Sequence, residues 1–177
     1  MEQASLPAAL QELPVAFAAC EYASRGFHYE GELTDSAQLE PLAQAMLKEG
    51  FYLVSVTAVH AAPAIEMVYQ FAHFRMRCRI VARAAVEADN ALPTISHIYP
   101  GANWHEREMH DMYGVVFRGH PYLEPLLLPE EDAGTTPLLK PQAKVKEVGA
   151  LRYQPPAAAE KEESNASTAQ SKQGESS

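Results

Sequence analysis

Three consecutive segments in the middle of the chain alternate apolar and polar residues, and they constrain the fold more than any other feature. They run from Phe51 to His60, from Ile65 to His73 and from Arg75 to Ala84. This period of two, with many β-branched and aromatic residues, predicts three β-strands. An antiparallel sheet with one covered face explains the alternation, because its other face stays in contact with water.

The third of these segments carries a row of arginines on its polar face. Cys78, Ile80 and Ala82 fall on the inward face, and the outward face holds Arg75, Arg77, Arg79 and Arg83. A solvated strand face is the favoured interpretation, since such faces are common and discourage edge-to-edge aggregation. The alternative is a surface that meets an acidic partner.

The segment before the first strand has the pattern of an amphipathic helix. Thr34 or Asp35 is placed to cap this helix, which reaches Glu49 and is stopped by Gly50; the alternative is that Pro41 marks its first turn. Its expected buried face consists of Leu39, Leu42, Ala43, Met46 and Leu47. We expect the helix to lie against the apolar face of the sheet.

A second helix is predicted over residues 103–113. Asn103 resembles an N-cap, and Glu106 stands at the third helical position, where its carboxylate can reach back to the Asn103 amide as in a capping box. Gly114 supplies the left-handed residue that follows many helices. Residues 115–117 then predict a short final strand.

Two other segments have weaker patterns. Residues 6–22 show helical spacing interrupted by Pro7 and Pro14, and residues 92–99 predict a short helix or turn capped near Thr94. Together the elements predict an α+β fold. Its small, mixed and largely antiparallel sheet would have three to four strands, with helices covering one face.

The end of the chain has a different composition. An extended, proline-rich arm is predicted over residues 121–153, because prolines interrupt it at Pro121, Pro125, Pro129 and Pro137. Residues 154–177 contain no aromatic residue and no Leu, Ile or Val. Such a segment cannot bury enough apolar surface to order itself, and it predicts a disordered tail. The α+β domain would then occupy residues 3–120.

Charge and cysteine content exclude several classes of function. A net charge of -9 argues against nucleic acid as the main ligand. Cys20 and Cys78 are distant in sequence and belong to no CxxC motif, which excludes an iron–sulfur cluster or a zinc knuckle built from this chain alone. No window approaches the roughly 20 apolar residues that span a bilayer, so we expect any membrane association to go through a partner.

The second helix contains a pattern close to a zinc motif. His105, Glu106 and His110 resemble HExxH, but the second histidine is displaced by one position and lies about 140° round the helix from the first. Glu106 and His110 do share a helix face, and a third ligand would come from His97 or His120. A small metal-dependent hydrolase is therefore kept only as a distant alternative.

Acid–base catalysis by the carboxylates of the same helix is the other enzymatic possibility. Glu108 and Asp111 are spaced to form a carboxylate pair, but the chain has no GxSxG, P-loop or GxGxxG motif to accompany it. Arg107 among these carboxylates favours ion pairs. Desolvated across an interface, such pairs fix the register and the choice of partner.

A long signature spans the second helix and the residues that follow it. It consists, in order, of Ala102-Asn103-Trp104, Glu106-Arg107-Glu108, Asp111-Met112-Tyr113-Gly114-Val115, Phe117 and Gly119-His120-Pro121. This signature resembles that of the complex I 30 kDa subunit family, whose bacterial members are the C subunits of NADH:quinone oxidoreductases. The resemblance covers roughly residues 33–140.

The chain departs from the respiratory members of this family after Pro121. Those members continue with Asp-Leu-Arg-Arg, where this chain has residues 122–125, Tyr-Leu-Glu-Pro. The following Leu-Leu-Pro and acidic residues, up to Asp132, are similar to the homologous accessory subunit of energy-converting membrane-bound NiFe hydrogenases. The alternative is the equivalent C subunit of a proton-pumping NADH or ferredoxin:quinone oxidoreductase.

The resemblance implies a non-catalytic structural subunit of the cytoplasmic arm of such a complex, without a cofactor or metal of its own. It would dock on a large catalytic subunit, and the NiFe site and iron–sulfur clusters would belong to partner subunits. It would lie on the cytoplasmic side of the cell membrane and reach the membrane only through partner membrane subunits. The residues expected at the partner interface are Trp104, Glu106, Arg107, Glu108, Asp111, Gly114, Phe117, Gly119, His120, Pro121, Leu126 and Leu127.

Overall fold

The computed structural model describes residues 5–141 and 144–152. The helices are α1 (Ala8–Gln11), α2 (Tyr22–Arg25), α3 (Leu39–Lys48), α4 (Ala102–Tyr113) and α5 (Val148–Leu151). The strands are β1 (Ala16–Ala19), β2 (Tyr29–Leu33), β3 (Phe51–Ala62), β4 (Ile65–His73), β5 (Arg79–Ala85), β6 (Ala91–Pro93), β7 (Val116–Arg118) and β8 (Lys146–Glu147). Within the described ranges, no helix combines the length and the apolar character that crossing a membrane requires.

The main sheet has six strands in the order β1-β2-β5-β4-β3-β8. Its centre confirms the three strands predicted between residues 51 and 84, since β4 pairs antiparallel with both β3 and β5. The β2–β5 and β3–β8 pairs are parallel, which makes the sheet mixed. The α+β class is therefore confirmed, whereas the prediction of three to four strands is too low.

The strands of the main sheet that the sequence did not reveal are short. β1 has 4 residues, β2 has 5 and β8 has 2, which is too few to show a clear period. The helical prediction for residues 6–22 is wrong over β1, which pairs antiparallel with β2. Phe17 lies opposite Gly31 in this pair, and a Cβ at Gly31 would come within 2.7 Å of the Phe17 ring. A glycine at this place lets the two strands pair beneath the ring.

The core lies between one face of the main sheet and helices α3 and α4. Phe51, Tyr69 and Ile80 project from three neighbouring strands and are almost completely buried. They belong to the same apolar cluster as Met46 of α3 and Met109 of α4. The apolar residues of the alternating pattern therefore face this core, and the residues between them face the other side of the sheet.

Helix α3 begins at a cap that the sequence had suggested. Asp35 accepts the Ala37 N–H at 2.8 Å, and the Gln38 side chain accepts the Asp35 N–H at 3.4 Å. This capping box starts a 3-10 turn that continues into α3. The predicted buried face is confirmed at Leu39, Leu42, Ala43 and Met46, but Leu47 is 49% exposed because it lies beside that stripe.

A second, two-stranded sheet is formed by the strands on either side of α4 in the sequence. Strands β6 and β7 pair in parallel, with Leu92 opposite Phe117, and both of these side chains are buried. The strand predicted over residues 115–117 is confirmed one residue later, whereas the helix or turn predicted from residue 92 begins as a strand. Because β6 precedes α4 and β7 follows it, their pairing holds the two ends of the helix in place.

The chain after residue 120 returns to its own domain. The Leu138 N–H donates to the Met112 carbonyl of α4 at 3.1 Å, and β8 then extends the main sheet beside β3. The described residues therefore do not show the extended arm predicted over residues 121–153. The tail predicted over residues 154–177 lies outside the described residues.

Candidate functional site

The signature found in the sequence lies on α4. The helix begins at Ala102, so that Asn103 is already inside it. Gly114 follows the helix in the left-handed conformation, with φ 71°, and donates its N–H to the His110 carbonyl at 2.8 Å. The predicted end of the helix is confirmed. The predicted capping box is wrong, because the side chain of Glu106 turns into the interior instead of back to the helix start.

Glu106 is buried beneath α4. Its carboxylate accepts hydrogen bonds from the Ile95 N–H, at 2.9 Å, and from the Thr94 hydroxyl, which also lies 2.8 Å from the Ser96 hydroxyl. Burial raises the pKa of Glu106 to about 7, although these two hydrogen bonds oppose the shift. Glu106 therefore ties α4 to the loop after β6, and its charge changes near neutral pH.

His120 belongs to the same buried cluster. Its side chain is fully buried, with Nε2 3.8 Å from the Glu106 carboxylate, and its Nδ1 accepts the Tyr122 N–H at 3.1 Å. Burial lowers the pKa of His120. Tyr69 of β4 is also buried, and burial, followed by the charge of Glu106, raises its pKa well above the ordinary value. Sequence spacing cannot reveal this cluster, because its members come from separate segments.

Asp111 fixes the chain that follows the signature. One of its carboxylate oxygens accepts the N–H groups of three consecutive residues, Leu126 at 2.9 Å, Leu127 at 2.7 Å and Leu128 at 3.2 Å. Burial alone would raise the pKa of Asp111, but the three donors hold it below its ordinary range. The carboxylate acts as a clamp on the backbone of residues 126–128.

Arg107 holds the residues just before this point. Its guanidinium donates to the Glu124 carbonyl at 2.9 Å and to the Pro125 carbonyl at 2.8 Å. It also lies over the Tyr122 ring, 5.1 Å from the ring centroid. Arg107 and Asp111 are one helical turn apart, so a donor and an acceptor on one face of α4 together bind residues 122–128.

This arrangement leaves large apolar side chains exposed. Trp104, one turn before Arg107, is 66% exposed, and Tyr122 and Leu127 are each 59% exposed. We call these three residues the docking patch. Their backbones belong to α4 or to the segment that α4 holds, so the three backbone positions are fixed relative to one another.

The residues predicted at a partner interface separate into three groups by burial. Glu106, Asp111, Phe117 and the side chain of His120 lie in the interior, where their contacts are with this chain. Arg107, Glu108, Gly114 and Leu126 are half-buried, and the exposed ones are Trp104, Gly119, Pro121 and Leu127. Contact with a partner stays a prediction for residues outside the interior.

The residues of the hydrolase alternative do not all converge, although His120 lies near Glu106. Glu106 points into the core, and Nδ1 of His110 lies 2.9 Å from the Val115 carbonyl. Within residues 5–141 and 144–152, no group of three or more His, Cys, Asp or Glu side chains is placed to hold a metal ion. The described geometry therefore gives this alternative no ligand set.

The fold is similar to that of two solved structures. A trypsin-resistant fragment of Nqo5 aligns with a TM-score of 0.52 and 21% identity, over 64% of this chain and 93% of that one. A chain of the membrane-bound sulfane sulfur reductase, an archaeal respiratory membrane complex, aligns with a TM-score of 0.62 and 22% identity, over 84% of this chain and 92% of that one. Likeness at this level of identity defines a shared fold.

Residues 33–147 match the family of the respiratory-chain NADH dehydrogenase 30 kDa subunit, and the chain belongs to that family. The C subunit of the NADH-quinone oxidoreductase from Roseiflexus sp. (strain RS-1) is 41% identical over 83 residues, which are 46% of this chain and 48% of that protein. Its counterpart from Herpetosiphon aurantiacus is 41% identical over 73 residues, 41% of this chain and 43% of that protein. The matches thus span about half the length of these relatives.

Proposed function

We propose that the chain is a non-catalytic accessory subunit of an energy-converting membrane-bound NiFe hydrogenase or a related complex I-like oxidoreductase. In this proposal it docks on the large catalytic subunit, on the cytoplasmic side of the membrane. The NiFe site and the iron–sulfur clusters belong to partner subunits, and contact with the membrane goes through others. Family membership and the names of the relatives support a place in a complex I-like assembly.

The docking patch is the observation that carries this role. Trp and Tyr are the residue types that contribute most to the free energy of binding at protein interfaces. Trp104 and Tyr122 are largely exposed, so apolar area remains to be buried on a partner. Because Arg107 and Asp111 already hold residues 122–128 in place, little conformational entropy would be lost on binding.

Replacement of both Trp104 and Leu127 by alanine tests the docking role. We expect recovery of the large subunit with the purified chain to fall by about tenfold or more, as for loss of a binding hot spot. The free energy of unfolding should change by less than about 0.5 kcal/mol, because both side chains are exposed. The measurements are quantitative co-purification and chemical denaturation.

Leu47→Ala is the matched control, since Leu47 is a 49% exposed leucine on α3, away from the docking patch. This variant should recover the large subunit as the unmodified chain does. Full recovery with the Trp104→Ala/Leu127→Ala variant would contradict the docking role.

The choice of a hydrogenase over a quinone reductase is supported by residues 122–132, which depart from the respiratory pattern. The alternative is the equivalent C subunit of a proton-pumping NADH or ferredoxin:quinone oxidoreductase. Mass spectrometry and nickel analysis of the purified complex separate the two. A large subunit with stoichiometric nickel supports the hydrogenase, whereas a nickel-free large subunit that reduces quinone supports the alternative.

A further inference from the structure

An open groove lies on the outer face of the main sheet, at the end where β3 and β5 begin. Its volume is about 1020 Å³. Tyr52, Ala72 and Arg79 stand in register on three neighbouring strands and line it. The turn between β4 and β5, residues 74–78, forms one side, and residues 19–22 contribute another. The apolar core, with α3 and α4, occupies the opposite face of this sheet.

The groove is positively charged although the chain as a whole carries a net charge of -9. Arg75, Arg77 and Arg79 line it and are all exposed. Among the described residues of the lining, Glu21 alone is acidic. His28 lies in the same wall, where burial lowers its pKa and the charges of Arg79 and Arg77 act in the same direction. The local field therefore favours an anionic ligand.

At the other end of the same sheet face, arginine and glutamate side chains of the described residues form ion pairs. Arg83 binds Glu66 at 2.9 Å and also pairs with Glu30, and Arg152 binds Glu66 at 2.7 Å. Arg83 is therefore part of an ion-pair network and not of the solvated row predicted from the sequence. Of the predicted row, Arg75, Arg77 and Arg79 face the open groove. Their position favours the alternative interpretation, in which this surface meets an acidic partner.

Aromatic side chains frame the groove and remain exposed. Phe74 is 83% exposed and stacks on Tyr52, with ring centroids 4.2 Å apart. Tyr22 is 45% exposed and stacks on His28, with ring centroids 4.6 Å apart. Exposed aromatic and arginine side chains are the types enriched at protein interfaces, so this composition suits a peptide.

We propose that this groove binds an acidic peptide segment of a partner protein. Its carboxylates would pair with the guanidinium groups of Arg75 and Arg79, and its apolar side chains would cover Phe74. A short acidic segment contacts the groove alone, whereas an extended polyanion or an anionic membrane would also face the net negative charge of the whole chain. This proposal depends on the proposed function only for the identity of the protein that supplies the segment.

The test uses the full chain and a fluorescein-labelled peptide of eight glutamates, with binding measured by fluorescence anisotropy at low salt. We expect saturable binding that salt weakens, and no binding of a labelled peptide of eight lysines. Arg75→Glu/Arg79→Glu should weaken binding by about tenfold or more. Lys48→Glu/Lys140→Glu makes the same change in net charge outside the groove and should change binding by less than about twofold.

Phe74→Ala provides a second test that does not depend on charge or on the folding of the arginine variant. It should weaken peptide binding about threefold or more while the far-ultraviolet circular dichroism stays unchanged. The proposal would be overturned by an absence of saturable peptide binding or by an equal loss of binding in the two charge variants. It would also be overturned if the chain bound phosphatidylserine vesicles in preference to the peptide. Failure of the docking role appears separately, as unchanged co-purification in the Trp104→Ala/Leu127→Ala variant.

Discussion

Asp111→Ala is expected to lower the free energy of unfolding by about 2–4 kcal/mol. The substitution removes the acceptor of three backbone N–H groups, those of residues 126–128, at distances of 2.7 to 3.2 Å. Residues 126–128 would then lose their attachment to α4. Chemical denaturation at pH 7 measures the change in stability, and hydrogen exchange of these three amides should become faster in the variant than in the unmodified chain.

Two further variants separate the clamp from a general effect of charge. Asp111→Asn keeps one oxygen acceptor and should cost only about 1 kcal/mol. Glu108→Ala removes a half-buried carboxylate from the same helix and should change stability by less than about 0.5 kcal/mol. If the Glu108 and Asp111 alanine variants were equally stable, the three hydrogen bonds would not contribute as we infer.

The Asp111 clamp should also depend on pH in a defined direction. Its folded-state pKa lies below the ordinary range, so the folded chain holds the charged form more strongly than the unfolded chain does. Its contribution is present above the unfolded pKa of about 3.9 and is lost as the pH falls through the folded pKa. The difference in stability between the unmodified chain and Asp111→Ala should therefore shrink below about pH 4.

We expect the difference in free energy of unfolding between Glu106→Gln and the unmodified chain to change with pH. From low pH to pH 8 it should shift by about 3 kcal/mol in favour of Glu106→Gln. Burial raises the folded-state pKa of Glu106 from 4.5 to about 7, so the folded chain binds more protons than the unfolded chain between these two values. Stability from this group is complete below about pH 4.5 and is lost as the pH rises through about 7. Glutamine stays neutral and removes this loss.

The measurement is the free energy of unfolding of both proteins from pH 4 to pH 8. Groups that titrate in the same way in both proteins cancel in the difference. Within each single curve the lowered pKa of His120 acts in the opposite direction, since its contribution rises with pH up to about 6.5, and both proteins share this contribution. Glu106→Ala is the control, because it leaves the Thr94 and Ile95 donors without an acceptor and should be less stable than Glu106→Gln at every pH. Parallel pH curves for the unmodified chain and Glu106→Gln would contradict the buried titration.

The secondary structure that could be predicted belongs to segments with long, regular patterns. β3, β4 and β5 followed from alternation over nine or more residues, although β5 is shorter in the structure, with 7 residues. The cap at Asp35 and the left-handed Gly114 also followed from residue type, because backbone geometry at these places selects few residues. β1 and β2 did not follow, since their stability comes from pairing with partners distant in sequence.

The sequence located the signature helix but not the contacts that its charged residues make. The signature on α4 suggested charged residues that bind a partner across an interface. In the structure Arg107 and Asp111 bind the backbone of residues 122–128, and Glu106 is buried with His120. No spacing rule could show this, because each contact joins α4 to a segment more than ten residues away in sequence. Contact of Arg107 with a partner stays a prediction.

The sequence by itself determined the α+β class, the place of the signature helix and, through that signature, the family. These features depend on local periodicity, on capping residues and on a motif in one continuous segment. Tertiary structure alone decided which charges are internal and which surfaces remain open. Trp104 and Glu106 are two residues apart in sequence, yet one is 66% exposed and the other is fully buried. The physical reason is that burial depends on how the sheet, α4 and the chain after residue 120 pack together. The sequence of one continuous segment does not specify that packing.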